Sequence, residues 1–159
     1  MGMDTAHDLP PSLLRLDTYL LSKIGKAARG RLAQRLAVRG LRLWHMAVLA
    51  ALTDFGPHSQ RDLAARLALH PSDVAKVVDA LAGAGAVERR QDPADRRRVS
   101  VEVTAAGRAL LGELDADARA VREEVLAPLD PAERDRLSEL LLRLFDHVSR
   151  LPDADDVAP

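Results

Sequence analysis

The stretch "HPSDVAKVVDALAGAGAVERRQDPADRRRVSVEVT", residues 70–104, changes its apolar period once, from 3.6 to 2, and few folds accept that change at this spacing. Its first half sets Val74, Val78 and Leu81 on one helical stripe with Val77 on the flank. Pro71 suits a first helical position, and Gly83 and Gly85 end the run. The second half alternates Val99, Val101 and Val103 with Ser100, Glu102 and Thr104, the pattern of a half-buried strand. Its partner is expected over Val87 to Gln91. Asp92-Pro93-Ala94-Asp95 stands between them, with Asp and Pro at the first two places of a type I turn.

Just upstream, "SQRDLAARLAL" sets Ser59 three residues before Asp62, a capping-box-like helix start with Leu63, Ala64 and Leu67 inside. Two short helices with a tight joint, followed by a hairpin, make a helix-turn-helix with a wing. Before them, "LRLWHMAVLAALTDF" places Leu41, Trp44, Val48, Leu52 and Phe55 on one stripe and stops at Gly56-Pro57. Ser12 can cap a long first helix carrying Leu13, Leu16, Leu20, Ile24, Ala27 and Leu32. After the hairpin, Thr104 caps a helix running to about Leu126. Asp130-Pro131-Ala132-Glu133 opens the last helix, whose apolar face is Leu137, Leu140, Leu141, Leu144, Phe145 and Val148.

The expected fold is therefore mostly α with a small β-hairpin wing. A winged helix-turn-helix spans 41–104, long helices at 12–40 and 105–151 serve dimerisation, and 1–11 and 152–159 are flexible ends. The central region can bury its own core. The terminal helices carry apolar stripes without an opposing layer, so they are expected to meet a second copy of the chain, with a larger monomeric bundle as the alternative. Nothing resembles a membrane span or a leader, which places the protein in the cytoplasm. With no cysteine in the 159 residues, disulfides, thiolate metal sites and thiol switches are excluded.

Net charge is only −1, but it is segregated: from Arg15 to Arg42 there are eight basic residues and one acidic residue, Asp17. Five arginines, Arg89, Arg90, Arg96, Arg97 and Arg98, fall within ten residues of the hairpin. A wing beside a DNA-reading helix lies near the minor groove, whose narrow stretches attract inserted arginine. Arg96, Arg97 and Arg98 follow the turn and are expected there, with Asp95 holding one of them in a bidentate pair. Arg89 and Arg90, at the hairpin base, suit phosphates. Sequence choice falls to the outward face of the second short helix: Ser72, Asp73, Ala75, Lys76 and Asp79. Lys76 can reach guanine or phosphate, Ser72 either kind of acceptor, and Ala75 a thymine methyl, while Asp73 suits the positive helix start. Ser59 and Gln60, opening the first short helix, complete the expected DNA-facing set.

The order of these parts resembles the MarR family of bacterial winged-helix regulators. "LRLWHMAVLAAL", "SQRDLAARLAL", "LDPAERDRLSELLLRL" and above all "DPADRRR" followed by "VTAAG" carry the resemblance, over about residues 13–150. It implies a homodimer, a palindromic operator on double-stranded DNA, usually repression, and often release by a small aromatic or phenolic acid. It also matches the family's wing arginine to Arg97, with Asp95 as its partner. The family's effector pocket, where the first two helices meet the DNA-binding lobe, implies Arg15, Tyr19, Trp44 and His45 as candidates, although Trp44 also suits core packing. Peroxide-sensing members use a cysteine, which this chain lacks. Zinc-sensing members cluster histidines, whereas His7, His45, His58, His70 and His147 are scattered, so neither metal nor cofactor is expected.

Two other classes compete. A winged helix used only for protein contacts would bind DNA weakly and without preference, and the basic wing argues against it. For an enzyme, the chain offers no phosphate-cradling glycine loop, paired metal-ligand motif or nucleophile elbow.

Overall fold

The structure, a computed structural model, describes residues 9–152. The flexible ends expected at 1–11 and 152–159 lie mostly outside that range. The elements are α1 (Pro11–Leu14), α2 (Asp17–Val38), α3 (Leu43–Phe55), α4 (Gln60–Leu67), α5 (Pro71–Gly83), β1 (Val87–Gln91), β2 (Val99–Val103), α6 (Ala105–Val125) and α7 (Pro131–Val148). The chain divides into two compact units, Met1–Val121 and Arg122–Pro159. Among the described residues, no single helix is long and apolar enough to cross a membrane.

The first unit is built on one apolar cluster. Val48, Leu49 and Leu52 of α3, Leu63 of α4, Val74, Val78 and Leu81 of α5 and Val101 of β2 are all essentially inaccessible. The same cluster takes in Leu36 from α2 and Leu111 and Leu114 from α6. The region 41–104 therefore does not close its core alone; the flanking helices supply part of it. Arg39, at the end of α2, fastens that join with ion pairs to Glu113 at 2.5 Å and Asp117 at 3.0 Å on α6.

Three local expectations are corrected. Ser12 does not cap a long first helix. It lies inside the short α1, and the chain breaks at Arg15–Leu16, where Leu16 is extended. Asp17 then supplies negative charge to the first turn of α2. The α3 stripe is rotated: His45, Val48, Leu49, Ala51 and Leu52 are buried, while Trp44 and Phe55 are exposed. Finally, the hairpin closes later than a turn over 92–95 would require. Asp92 N–H donates to Arg98 O, and Arg98 N–H to Asp95 O, both at 2.9 Å. Two aspartates brace the loop: Asp92 Oδ1 accepts from Ala94 N–H and Asp95 Oδ1 from Arg97 N–H, so short carboxylates replace the missing main-chain bonds.

The hairpin register pairs Val87 with Val103 and Gln91 with Val99. Val101 is buried, but Val99, paired with Gln91 at the loop end of the hairpin, is 41% exposed. A third chain segment joins the sheet through one residue, His58, which exchanges two main-chain hydrogen bonds with Val101 (3.1 and 2.7 Å).

Caps follow the expected chemistry. Ser59 Oγ accepts from Asp62 N–H, Thr104 Oγ1 accepts from Gly107 N–H, and Asp130 and Glu133 form a reciprocal capping box. Gly107 answers a packing need. A Cβ there would stand 1.9 Å from the Ala86 carbonyl oxygen and 2.8 Å from Val103 Cγ2. That oxygen is main chain and already accepts from Thr104 N–H, so it cannot swing away. Helix propensity alone would make Gly107→Ala stabilising by about 1 kcal/mol. The clash outweighs it, and a net loss of about 2 kcal/mol is expected, with a thermal midpoint lower by roughly 4–8 °C. An unchanged or raised midpoint would contradict this packing.

His45 also has a structural role. It is buried at the third position of α3, where its Nδ1 accepts the Arg42 main-chain N–H at 3.0 Å. Burial is the main cause that lowers its pKa below the ordinary 6.5. The folded chain thus resists a proton that the unfolded chain accepts. The stability given by neutral His45 is full above pH 6.5 and is lost as the pH falls from there toward the lowered folded value. His45→Gln is expected to flatten the fall in unfolding free energy that begins below about pH 6.5, where the unfolded chain takes up its proton. Identical pH profiles for the two proteins would refute the assignment.

In the second unit Arg134 reaches the carbonyls of Leu126 and Leu129 and pairs with Glu123, securing the turn between α6 and α7. No residue of α7 is buried.

Candidate nucleic-acid interface

α4 and α5 meet at a tight joint where Ala68 adopts the left-handed conformation, φ 51°. The helix α5 starts with His70 as its cap: Nδ1 accepts from Ser72 N–H at 3.2 Å, and Ser72 Oγ lies 2.7 Å from the same nitrogen. With Val74, Val77, Val78 and Leu81 buried, Ser72, Asp73, Lys76 and Asp79 are exposed and Ala75 is half-buried, as the apolar period requires. Lys76 is 79% exposed, and its nearest anion is Asp73 at 3.9 Å. Ser59 and Gln60 are half-buried at the start of α4.

The five hairpin arginines divide into two groups. Among the described residues, the guanidinium groups of Arg96 and Arg97 have no ion pair or hydrogen bond to another side chain. Arg98 lies 3.9 Å from Asp95 and is 80% exposed. Asp95 does not hold an arginine side chain in a bidentate pair; its Oδ1 accepts from the Arg97 main-chain N–H, which braces the loop. Arg89 and Arg90, expected at phosphates, are engaged elsewhere. Arg90 pairs with Glu88 at 2.6 Å and Glu102 at 3.4 Å, an arrangement that raises its pKa, mainly through the Glu88 hydrogen bond. Arg89 donates to Asp79 on α5 and to Gln60 on α4. Among the five hairpin arginines, those free to meet an outside anion are therefore the ones at the tip.

The candidate effector residues lie at the end of α1 and on α2 and α3. Arg15 is exposed at the end of α1, and Tyr19 is half-buried with Lys23 5.3 Å from its ring centre. Trp44 has Arg29 at 5.9 Å over its ring. His45 is spent on its cap. An open groove of about 640 Å³ lies instead along Pro57, His58, Ser59, Asp62, Ala65 and Arg66, and none of the four lines it. Arg29 was not legible as a ring partner, because nothing local links it to a residue 15 positions away.

A helix pair with its second apolar face inward, its outer face polar, and an arginine-tipped hairpin beside it defines a winged helix-turn-helix of the DNA-binding class. The MarR family profile matches residues 43–99. The transcriptional repressor NicR of Pseudomonas putida is 36% identical over 98 residues, which is 62% of this chain and 62% of that one, so the match spans less than two thirds of that relative. The transcriptional repressor Rv2887 of Mycobacterium tuberculosis is 30% identical over 79% of this chain and 91% of its own. Its structure in complex with DNA superposes with a TM-score of 0.70 at 28% identity, covering 86% and 98% of the two chains. BpsR of Bordetella bronchiseptica, solved in a study of how 6-hydroxynicotinic acid regulates its DNA binding, gives a TM-score of 0.67 at 29% identity, covering 87% and 99%. The chain belongs to the MarR family and is a DNA-binding transcriptional regulator rather than an enzyme.

Proposed function

We propose that the protein is a homodimeric repressor that binds a palindromic operator and releases it on meeting a small aromatic acid. The observation that carries the DNA half is the pair of unengaged guanidinium groups, Arg96 and Arg97, on a loop braced by Asp92 and Asp95. In this reading α5 enters the major groove, with Ser72, Ala75 and Lys76 toward base edges, while Arg96, Arg97 and Arg98 reach the adjacent minor groove.

Support for the dimer comes from apolar side chains left open in each unit. In the first, Leu16, Leu21 and Ile24 are about half exposed. In the second, Leu142, Phe145 and Val148 are 60% exposed or more. An isologous pair would cover such faces and relate two helix-turn-helix units by the symmetry of a palindrome.

The effector half rests on the ligand named for BpsR. It draws on Trp44 as an aromatic wall, with Arg15, Tyr19 and His45 as the other candidates. A labelled duplex selected by the protein should be displaced in a graded way by 6-hydroxynicotinic acid or a phenolic acid, and Trp44→Ala should shift that titration without changing affinity in its absence. A duplex that stays bound in every such acid would remove the effector reading and leave the DNA reading intact.

A further inference from the structure

Arg89 sits where three elements meet. From β1, its Nη2 donates to Asp79 Oδ1 on α5 at 2.5 Å and its Nε to Gln60 Oε1 on α4 at 3.1 Å. Its side chain is 35% exposed, whereas that of Asp79 is 68% exposed on the outward face of the helix. One planar cation thus ties the base of the hairpin to both helices of the helix-turn-helix pair. The fork suits it: the two donors diverge at fixed angles, which a lysine ammonium cannot reproduce.

We infer that Arg89, with Asp79 and Gln60, is a positioning device that sets the hairpin against α5, and that Arg89 is not itself a phosphate contact. This rests on the proposal that α5 and the hairpin face the same duplex. Sequence preference requires that helix and hairpin be held in one fixed relation, since the two must meet neighbouring grooves at the same time. Attraction to phosphates in general does not require this. A tie linking the two elements should therefore govern discrimination between sequences more than overall affinity.

The two roles predict opposite signs at Asp79. If only charge mattered, Asp79→Asn would remove an anion from a DNA-facing surface and tighten binding to every duplex. As half of a positioning pair, its loss should weaken binding to the preferred sequence. The experiment measures affinity of the full chain for a duplex it has itself enriched from a random pool, and for a shuffled duplex, over a salt series. Arg89→Gln, Asp79→Asn and the double variant are each expected to lower affinity for the enriched duplex about tenfold, with the double no worse than either single. Affinity for the shuffled duplex and the salt slope should stay as in the wild type. Gln60→Ala should move in the same direction by less. Tighter binding by Asp79→Asn, or a salt slope for Arg89→Gln that falls by about 2 for the two copies, would overturn the inference in favour of a phosphate contact. A wild type that enriches no sequence would instead remove the reading beneath it, so the two failures are distinct.

Discussion

Replacing Arg96 and Arg97 together by alanine is expected to weaken operator binding about a thousandfold while leaving the fold intact. Each charged contact to a nucleic acid is worth roughly 1 kcal/mol or more, and the proposed dimer would lose four of them, so about 4 kcal/mol disappears. The salt dependence should flatten as well, by nearly one unit of slope for each phosphate neighbour lost. Stability should hold, because among the described residues neither guanidinium has a side-chain hydrogen bond or ion pair, and the loop is held by Asp92, Asp95 and the main chain. The control is Arg90→Ala. Its guanidinium already serves Glu88 and Glu102, so operator affinity should change by threefold or less, in keeping with about 0.5 kcal/mol for a solvent-exposed pair. Titration of a labelled operator at several salt concentrations reads both. Equal losses from the two replacements would mean that the tip has no special part.

The second large effect is expected on α7. Leu142 and Phe145 are three residues apart, hence on one side of the helix, and are 68% and 73% exposed. In the proposed two-fold assembly, replacing both by arginine changes four side chains. At roughly 1.5 kcal/mol or more for each buried apolar side chain, at least about 6 kcal/mol of association free energy is lost, more than four factors of ten. The protein should run as a single subunit at micromolar concentration, with unchanged helix content, since no residue of α7 is buried within its own chain. Operator binding should collapse with it, because one subunit can hold only half of a palindrome. A variant that still sediments as a dimer would move the interface away from this face.

Features read correctly from sequence are those whose cause is local. Alternation at Val99, Val101 and Val103, Ser59 before Asp62, Pro71 at a helix start, and Asp130 before Glu133 each declare a conformation within a few residues, and each is present. Where α3 is apolar almost all the way round, the period no longer says which side faces the core: Val48 and Leu52 of the expected stripe are buried, but Trp44 and Phe55 are exposed. Partners far apart in the chain were beyond reach for a different reason. The bridge from His58 to Val101 rests on one residue with no repeating pattern. Likewise, Arg89 meets Gln60 from 29 positions away, and a cluster of like charges does not reveal which members are already neutralised.

Selection of bound sequences from a random duplex pool by the purified protein, at about 0.15 M salt where weak surface attraction is largely screened, bears on the whole account at once. The expected outcome is an inverted repeat whose half-site centres lie about ten base pairs apart, one turn of the double helix. A recovered pool with no shared pattern, or with a lone unrepeated motif, would contradict a symmetric pair of winged helices reading DNA.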